Sequence, residues 1–368
     1  MFRHVRFRPV PTRVPMLAGL ALVLASCGSS AAPAAPSTPA SVAAASAKPP
    51  ASVPASTAQE ASAQAGQAPK LVVAYAAVIG AVLPEWVADA AGIFQKNGLD
   101  VELTYIESSK GMASLIAGQI QVTGLGAPEV VSATAAGADV VPVTTNAPVY
   151  PYLLQVPAEI KTPADLKGKK LGVSSIGSTS DIATRVALRK MGLDPEKDVN
   201  IIGVGSASNR LAAMQSGAIQ GGLSFPPESV IMEAKGFHTL LDMAATKAPW
   251  SNASDIILRS YINSHRDVVQ RYVDSIVEAI ARARKDKTLA MDVIKKYHKL
   301  DDAHAVEVTY DYFVNSVIPP LPYARPEQFA DAKAVLGEKN EAVRNFDATK
   351  VLDDSFVKSA ADRGVDKR

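Results

Sequence analysis

The chain has a single cysteine, Cys27, in 368 residues. A lone thiol excludes an intrachain disulfide, a thiolate zinc cluster and an iron–sulfur site. Aromatic residues make up 6% of the chain, too few for a stacking track along a nucleic-acid strand. Neither sign of charge dominates: 38 Lys and Arg stand against 36 Asp and Glu, a formal net charge of +2. That balance excludes a strongly basic nucleic-acid binder. Also missing are the HExxH, GxSxG, GxxxxGK[ST] and HxE…CxxC signatures. Gly203-Val204-Gly205 opens like a dinucleotide fingerprint but lacks the third glycine at its proper spacing, and reads as a tight turn. The histidines are His4, His238, His265, His298 and His304. His298 and His304, six apart in a charged helical stretch, do not share a helix face and read as solvated surface residues, not metal ligands. No metal and no cofactor is expected.

What is present begins with a basic start, Arg3, Arg6, Arg8 and Arg13, followed by an apolar run from Met16 to Ala25. That run is about half of the roughly twenty residues needed to span a bilayer, so it reads as an export signal. It ends in Leu24-Ala25-Ser26-Cys27, which resembles a bacterial lipobox, and the expected lipidation site is Cys27. Residues 1–26 are then a signal peptide, whose removal takes four arginines and leaves a net charge of about −2. Residues 27–69 are read as a lipidated tether. Beyond the cysteine it is almost entirely Ala, Ser, Pro, Gly and Gln, with Lys48 and Glu60 its only charges, too poor in large apolar residues to form a core.

From Lys70 the pattern alternates strand and helix, in one series to about Val156 and a second of similar size from Ile160. At 48% hydrophobic and 20% charged residues the body is ordinary for a globular protein. The alternation predicts an α/β fold with mostly parallel sheets in two lobes, joined by two hinge crossings and followed by a helical C-terminal extension. The expected boundaries are 70–156 plus 252–368 for lobe 1 and 157–251 for lobe 2. Such a clamshell holds its ligand at the carboxyl ends of the strands.

The loops at those ends are small and polar. We single out Ser175, Ser178, Thr179 and Ser180 in one lobe and Ser108, Ser109, Gly126 and Ala127 in the other as ligand contacts. Hydroxyls and free amides at a helix start favour an anionic group. The same residues also serve as ordinary turns and caps. Tyr75, Tyr150, Phe225 and Trp250 are either cleft walls or core. Arg210 and Lys110 are either counter-charges or surface residues. Asp181 and Glu228 weigh against a cleft specialised for anions.

Four stretches carry a resemblance: Gly92-Ile93-Phe94-Gln95-Lys96-Asn97-Gly98-Leu99-Asp100-Val101-Glu102, Leu115 to Val122, Thr162 to Val173, and Arg210 to Gly221. In them the chain resembles substrate-binding lipoproteins of ABC importers, in the group that binds nitrate, taurine, aliphatic sulfonates and thiamine precursors. The resemblance implies a type II periplasmic-binding-protein fold and delivery of a small-molecule solute to an ABC permease and its ATPase. It also implies ligand loops at Ala76-Ala77, Ser109, Gly126, Ser175 to Ser180 and Phe225-Pro226. No arginine clamp for a sulfonate is evident, which leaves neutral and aromatic solutes open. The expectation is a non-catalytic, monomeric receptor, held by acylated Cys27 to a lipid bilayer in the cell envelope and facing the periplasm or cell exterior. It would take a sulfonate, nitrate or pyrimidine-like solute and bind no nucleic acid. The alternatives are an enzyme related to thiamine-pyrimidine precursor synthesis and a sensor that presents its solute to a receptor kinase.

Overall fold

A computed structural model describes residues 68–368. The expected signal peptide, Cys27 and all but the end of the expected tether lie outside the described residues.

Twelve strands follow in order: β1 (Lys70–Tyr75), β2 (Asp100–Tyr105), β3 (Val122–Leu125), β4 (Val140–Pro142), β5 (Ala147–Val149), β6 (Leu153–Pro157), β7 (Lys170–Val173), β8 (Asn200–Gly203), β9 (Gly221–Ser224), β10 (Phe237–Asp242), β11 (Pro249–Asn252) and β12 (Ser254–Leu258). They form two five-stranded sheets, ordered β2-β1-β3-β12-β4 and β10-β6-β9-β7-β8, and a ribbon of β5 with β11. Each sheet is the core of one lobe. In the first, β1 pairs in parallel with β2 and β3, while β12 runs antiparallel to β3 and β4. The second repeats the scheme: β7 is parallel to β8 and β9, and β6 is antiparallel to β9 and β10.

The sheets are therefore mixed, where the strand–helix alternation predicted mostly parallel ones. The parallel strands are those joined by crossover helices, which fix their direction. Beside them, β12 enters the first sheet from the second lobe and β6 enters the second sheet from the first. No crossover helix dictates their direction, and each runs antiparallel to its neighbour. Leu153 to Val156, expected in the first lobe, pair instead within the second sheet as part of β6. The outgoing crossing thus lies between Pro142 and Leu153, and the return between Asp242 and Ser254.

The crossings are packed against each other. Tyr150 and Trp250 stack with ring centroids 4.4 Å apart and are fully buried. Of the two readings open for these rings, cleft wall or core, the structure gives core, and the Tyr150 hydroxyl donates to Asp331 Oδ2 at 2.7 Å.

Lobe 1 is completed by helices. In the helix Arg266–Lys285, Val269, Val273, Ile276, Val277 and Ile280 recur every three or four residues and are buried. This stripe packs against the helix Leu83–Ala90. Trp86 of that helix is fully buried and stacks on Tyr297 at 4.5 Å. His298 meets the same indole edge-on at 5.7 Å, and burial pushes its imidazole down to about 4. It is a neutral packing residue, contrary to the solvated role expected; the side chains of one helical turn separate into buried and exposed only once a partner such as Trp86 is in place. The later helix Ala330–Gly337 bears on one helix of each lobe, Ala127–Ala135 and Thr179–Lys190. An ion pair of Arg189 with Glu338 at 2.8 Å lies along the second contact.

Candidate functional site

A cavity of about 340 Å³ lies between the lobes. It opens at the carboxyl ends of the parallel strands of both sheets, where chain reversal leaves backbone amides and short side chains facing one another. From lobe 1 it is lined by Ala76 to Ile79 after β1, by Tyr105, Glu107 and Ser108 after β2, and by Gly124 to Gly126 and Glu129 after β3. From lobe 2 come Ser174, Ser178 to Ser180, Gly205 to Ser208, Arg210, Phe225 and Glu228. Tyr152, Asn252 and Ala253 close its base at the hinge.

Of the residues singled out in the sequence, Ala76, Ala77, Ser108, Gly126, Ser178, Thr179, Ser180 and Phe225 line this cavity. Ser109 lies in the helix Ser108–Ile116. Three others do not stand on the wall. Ala127 is buried in the first turn of its helix. Ser175 lends its carbonyl to the Ser178 hydroxyl at 2.7 Å, and Pro226 is buried behind Phe225. Tyr75, considered as a wall, packs edge-on against Trp86 at 5.9 Å. The aromatic rings on the wall besides Phe225 are Tyr105 and Tyr152.

Local sequence positions the donors. Ser178 caps the helix Thr179–Lys190 by accepting from the Asp181 amide, and Ser206 caps Ala207–Gln215 by accepting from that of Asn209. Both caps bring their hydroxyls to the wall. Gly126 lies at the start of the helix Ala127–Ala135 with φ −114° and ψ −178°, extended backbone open to any residue. A Cβ there would stand 2.4 Å from Thr179 Oγ1 across the cleft and 3.0 Å from the Ser251 carbonyl oxygen. The lobes approach so closely that only glycine fits between them.

That approach is made by Glu129. Its Oε2 accepts from the Gly126 amide at 3.3 Å, a local cap, and from Thr179 Oγ1 at 2.7 Å, while Oε1 accepts from the Thr179 amide at 3.1 Å. One carboxylate of lobe 1 thus binds the start of a lobe 2 helix. Burial raises its pKa, and the bonds from Thr179 and Gly126 work against that rise.

Arg210 is only 4% exposed, not a surface cation. Its Nε donates to the Leu223 carbonyl at 2.7 Å, whereas Nη1 has no protein partner. Burial pushes Glu228 up to about 7, partly offset by its own backbone amide and by Arg210, and its Oε2 is likewise unpartnered. The Tyr152 hydroxyl accepts from Asn252 Nδ2 at 3.0 Å. Sequence reasoning did not pick out Glu129, Tyr152 or Asn252. For Glu129 a signal existed: Gly126-Ala127-Pro128-Glu129 has the spacing of a capping box, with glycine at the cap and the acid three residues on. Tyr152 and Asn252 lie on the crossing segments, and only tertiary structure brings them together. No group of three or more His, Cys, Asp or Glu suited to a metal ion occurs among the described residues.

A family model described as NMT1/THI5 like matches residues 81–288, more than half of the chain. YtlA of Bacillus subtilis (strain 168) is 22% identical over 281 residues, covering 72% of this chain and 81% of that one. A solved protein of Bordetella bronchiseptica RB50 superposes with a TM-score of 0.69 at 21% identity, over 80% of this chain and 98% of its own. The periplasmic aliphatic sulphonate binding protein SsuA from Escherichia coli does so with a TM-score of 0.62 at 21% identity, over 76% of this chain and 96% of its own. At these identities the likeness is one of fold, that of the two-lobed periplasmic binding proteins.

Proposed function

We propose that this chain, which belongs to the NMT1/THI5-like family, is an extracytoplasmic solute-binding receptor of an ABC-type importer. It captures a small solute between its lobes, without turnover and without a cofactor, and delivers it to a permease and its ATPase. The observation that carries this reading is the cavity of about 340 Å³ with walls from both lobes and a base at the hinge. A solute held there touches both halves at once, so its binding energy favours the shut arrangement over the parted one. A transporter that recognises the shut form then receives loaded receptors. The fold shared with the periplasmic aliphatic sulphonate binding protein SsuA supports the same reading. Sulfonate, nitrate and pyrimidine-like solutes are the starting range of chemistry, and Ala76, Ala77, Ser108, Gly126, Ser178, Thr179, Ser180 and Phe225 are the proposed contacts.

Small-angle scattering of the mature chain across a solute library tests this. At least one solute is expected both to bind saturably and to reduce the radius of gyration. Saturable binding without compaction by any solute, or conversion of a bound solute to product, would overturn the reading.

We further propose that Cys27 carries the lipid. It stands at the cleavage position of a lipobox-like sequence and is the chain's one cysteine, and two or more acyl chains give stable anchoring. Cys27→Ser is expected to move the protein from the membrane fraction to the soluble one. Retention of the variant in the membrane fraction would remove the anchor from the proposal.

A further inference from the structure

Resting on the receptor reading, we infer that the cavity takes a neutral or cationic solute bearing N–H donors and turns oxyanions away, because Glu129 already fills the anion position at the start of the helix Thr179–Lys190. In a twelve-residue helix with a serine cap, the free amides of the first turn are where an oxyanion would sit. Here the amides of Thr179 and Asp181 are taken, and so are those of the loop that leads into the helix. The Thr179 amide and hydroxyl both donate to Glu129. The Gly177 amide donates to Asp181 Oδ2 at 2.8 Å, the Asp181 and Ser175 amides to Ser178 Oγ, and the Ser174 amide to Ser180 Oγ at 2.9 Å. An arriving sulfonate or nitrate would have to displace a carboxylate that the protein itself supplies.

The rest of the wall points the same way. Glu107 and Glu228 face the cavity with Glu129, against the single cation Arg210. A second, independent observation concerns the polar atoms left without partners. Arg210 Nη1, Ser224 Oγ and Glu228 Oε2 are buried and unbonded within the protein. They line a gap of about 10 Å³ that shares Ala207, Arg210, Phe225 and Glu228 with the main cavity. A buried donor beside a buried acceptor in a gap with room for about one water suits a solute edge that has both an acceptor and a donor, as a carboxamide does, reached through that water. An oxyanion would satisfy the arginine but set like charges together at Glu129, which accepts three hydrogen bonds as a carboxylate does.

Three probes built on one phenyl ring and differing in charge test this: benzamide, benzamidine and benzenesulfonate, titrated calorimetrically into the mature chain and into Glu129→Ala. Wild type is expected to bind benzamide or benzamidine at least about tenfold more tightly than benzenesulfonate. Glu129→Ala vacates the Thr179 amide and hydroxyl, and is expected to gain at least about tenfold for benzenesulfonate. Glu129→Gln, which keeps an acceptor for Thr179, provides the comparison if alanine loosens the fold; it too should narrow the gap between benzenesulfonate and benzamide. Benzenesulfonate binding to wild type as tightly as benzamide, an unchanged benzenesulfonate affinity in both variants, or no binding of any probe would overturn the inference. The receptor reading falls separately: an oxyanion that binds and compacts the wild-type chain sinks the charge selection and upholds the receptor.

Discussion

Gly126→Val is expected to lower solute affinity by roughly a hundredfold and to leave the lobes parted, with a smaller loss in the stability of the chain. Backbone strain plays no part, since φ of −114° suits valine. The obstacle is space. Even the first added carbon would lie 2.4 Å from Thr179 Oγ1 and 3.0 Å from the carbonyl oxygen of Ser251, whereas carbon contacts settle at roughly 3.5 Å or more. Thr179 belongs to the opposite lobe and Ser251 to the ribbon between the crossings, so the side chain wedges the cleft rather than the core. Forcing such a group into a packed space costs on the order of 1–3 kcal/mol for one or two methyl groups, and about 1.4 kcal/mol corresponds to tenfold in affinity. The unfolding free energy falls less than the affinity does, because parting the lobes relieves the contact with Thr179 while both sheets stay intact. Scattering of the variant with a solute that compacts wild type, together with denaturant unfolding, checks both halves of the expectation. A valine variant that shuts and binds like wild type would remove Gly126 from the contact surface of the lobes.

The second large effect concerns a pair of carboxyl groups in the heart of lobe 1. Asp255→Ala is expected to cost about 3–5 kcal/mol of stability, the usual result of breaking a buried charged network, while Glu85→Gln is expected to be nearly neutral near pH 5 and stabilising at pH 8. Glu85 is 3% exposed and Asp255 1%. Asp255 accepts from the Thr144 hydroxyl at 2.6 Å and the Tyr272 hydroxyl at 3.0 Å, as a carboxylate does. Glu85 Oε1 accepts from Asn146 Nδ2 at 2.8 Å, and its Oε2 lacks a partner so long as it carries no proton. Burial, and then the charge of Asp255, hold Glu85 well above its ordinary 4.5. The proton therefore sits on Glu85, whose Oε2–H is then a donor to Asp255. A carboxyl group with a raised folded-state pKa confers its full stability below the ordinary value and loses it as pH climbs toward the folded one. Glutamine retains a donor and an acceptor but does not ionise, so the variant escapes that decline. Urea unfolding at pH 5 and pH 8 decides the matter: a Glu85→Gln chain that is weakened as much as Asp255→Ala at both pH values would place the proton elsewhere.

The parts of the molecule that can be read in the sequence are those governed by near neighbours. The strands read at Leu71 to Tyr75 and Lys170 to Ser174, the stop at Asn97-Gly98 and a cap at Ser178 or Ser180 depend on residues within one turn; the structure has strands Lys70–Tyr75 and Lys170–Val173, a helix ending before Asn97 and the cap at Ser178. The direction of β6 and β12 depends on which lobe the chain has just left, which no local pattern encodes. The cavity divides along the same line. Serines and glycines at strand ends are visible as such, and so Ser178, Thr179 and Gly126 could be named. Arg210 and Glu228 could be named but not placed, since the same side chain is a surface charge or a buried one according to what β9 and Phe225 bring over it. Glu129 escaped notice because half of its role is a contact with another lobe some fifty residues further along the chain.

The short helix Ala330–Gly337 alters what opening can mean for this molecule. It rests on Ala127–Ala135 in one lobe and on Thr179–Lys190 in the other, and those two helices begin at the glycine and the threonine that meet across the mouth. A gape there cannot be a free swing about the two crossings: the bracket at the back must slide along one of its supports or lift from it, baring apolar surface at about 25 cal/mol per Å². The expected opening is accordingly narrower than the two crossings alone would permit, and truncation before Ala330 is expected to widen it, as a larger radius of gyration without solute would show.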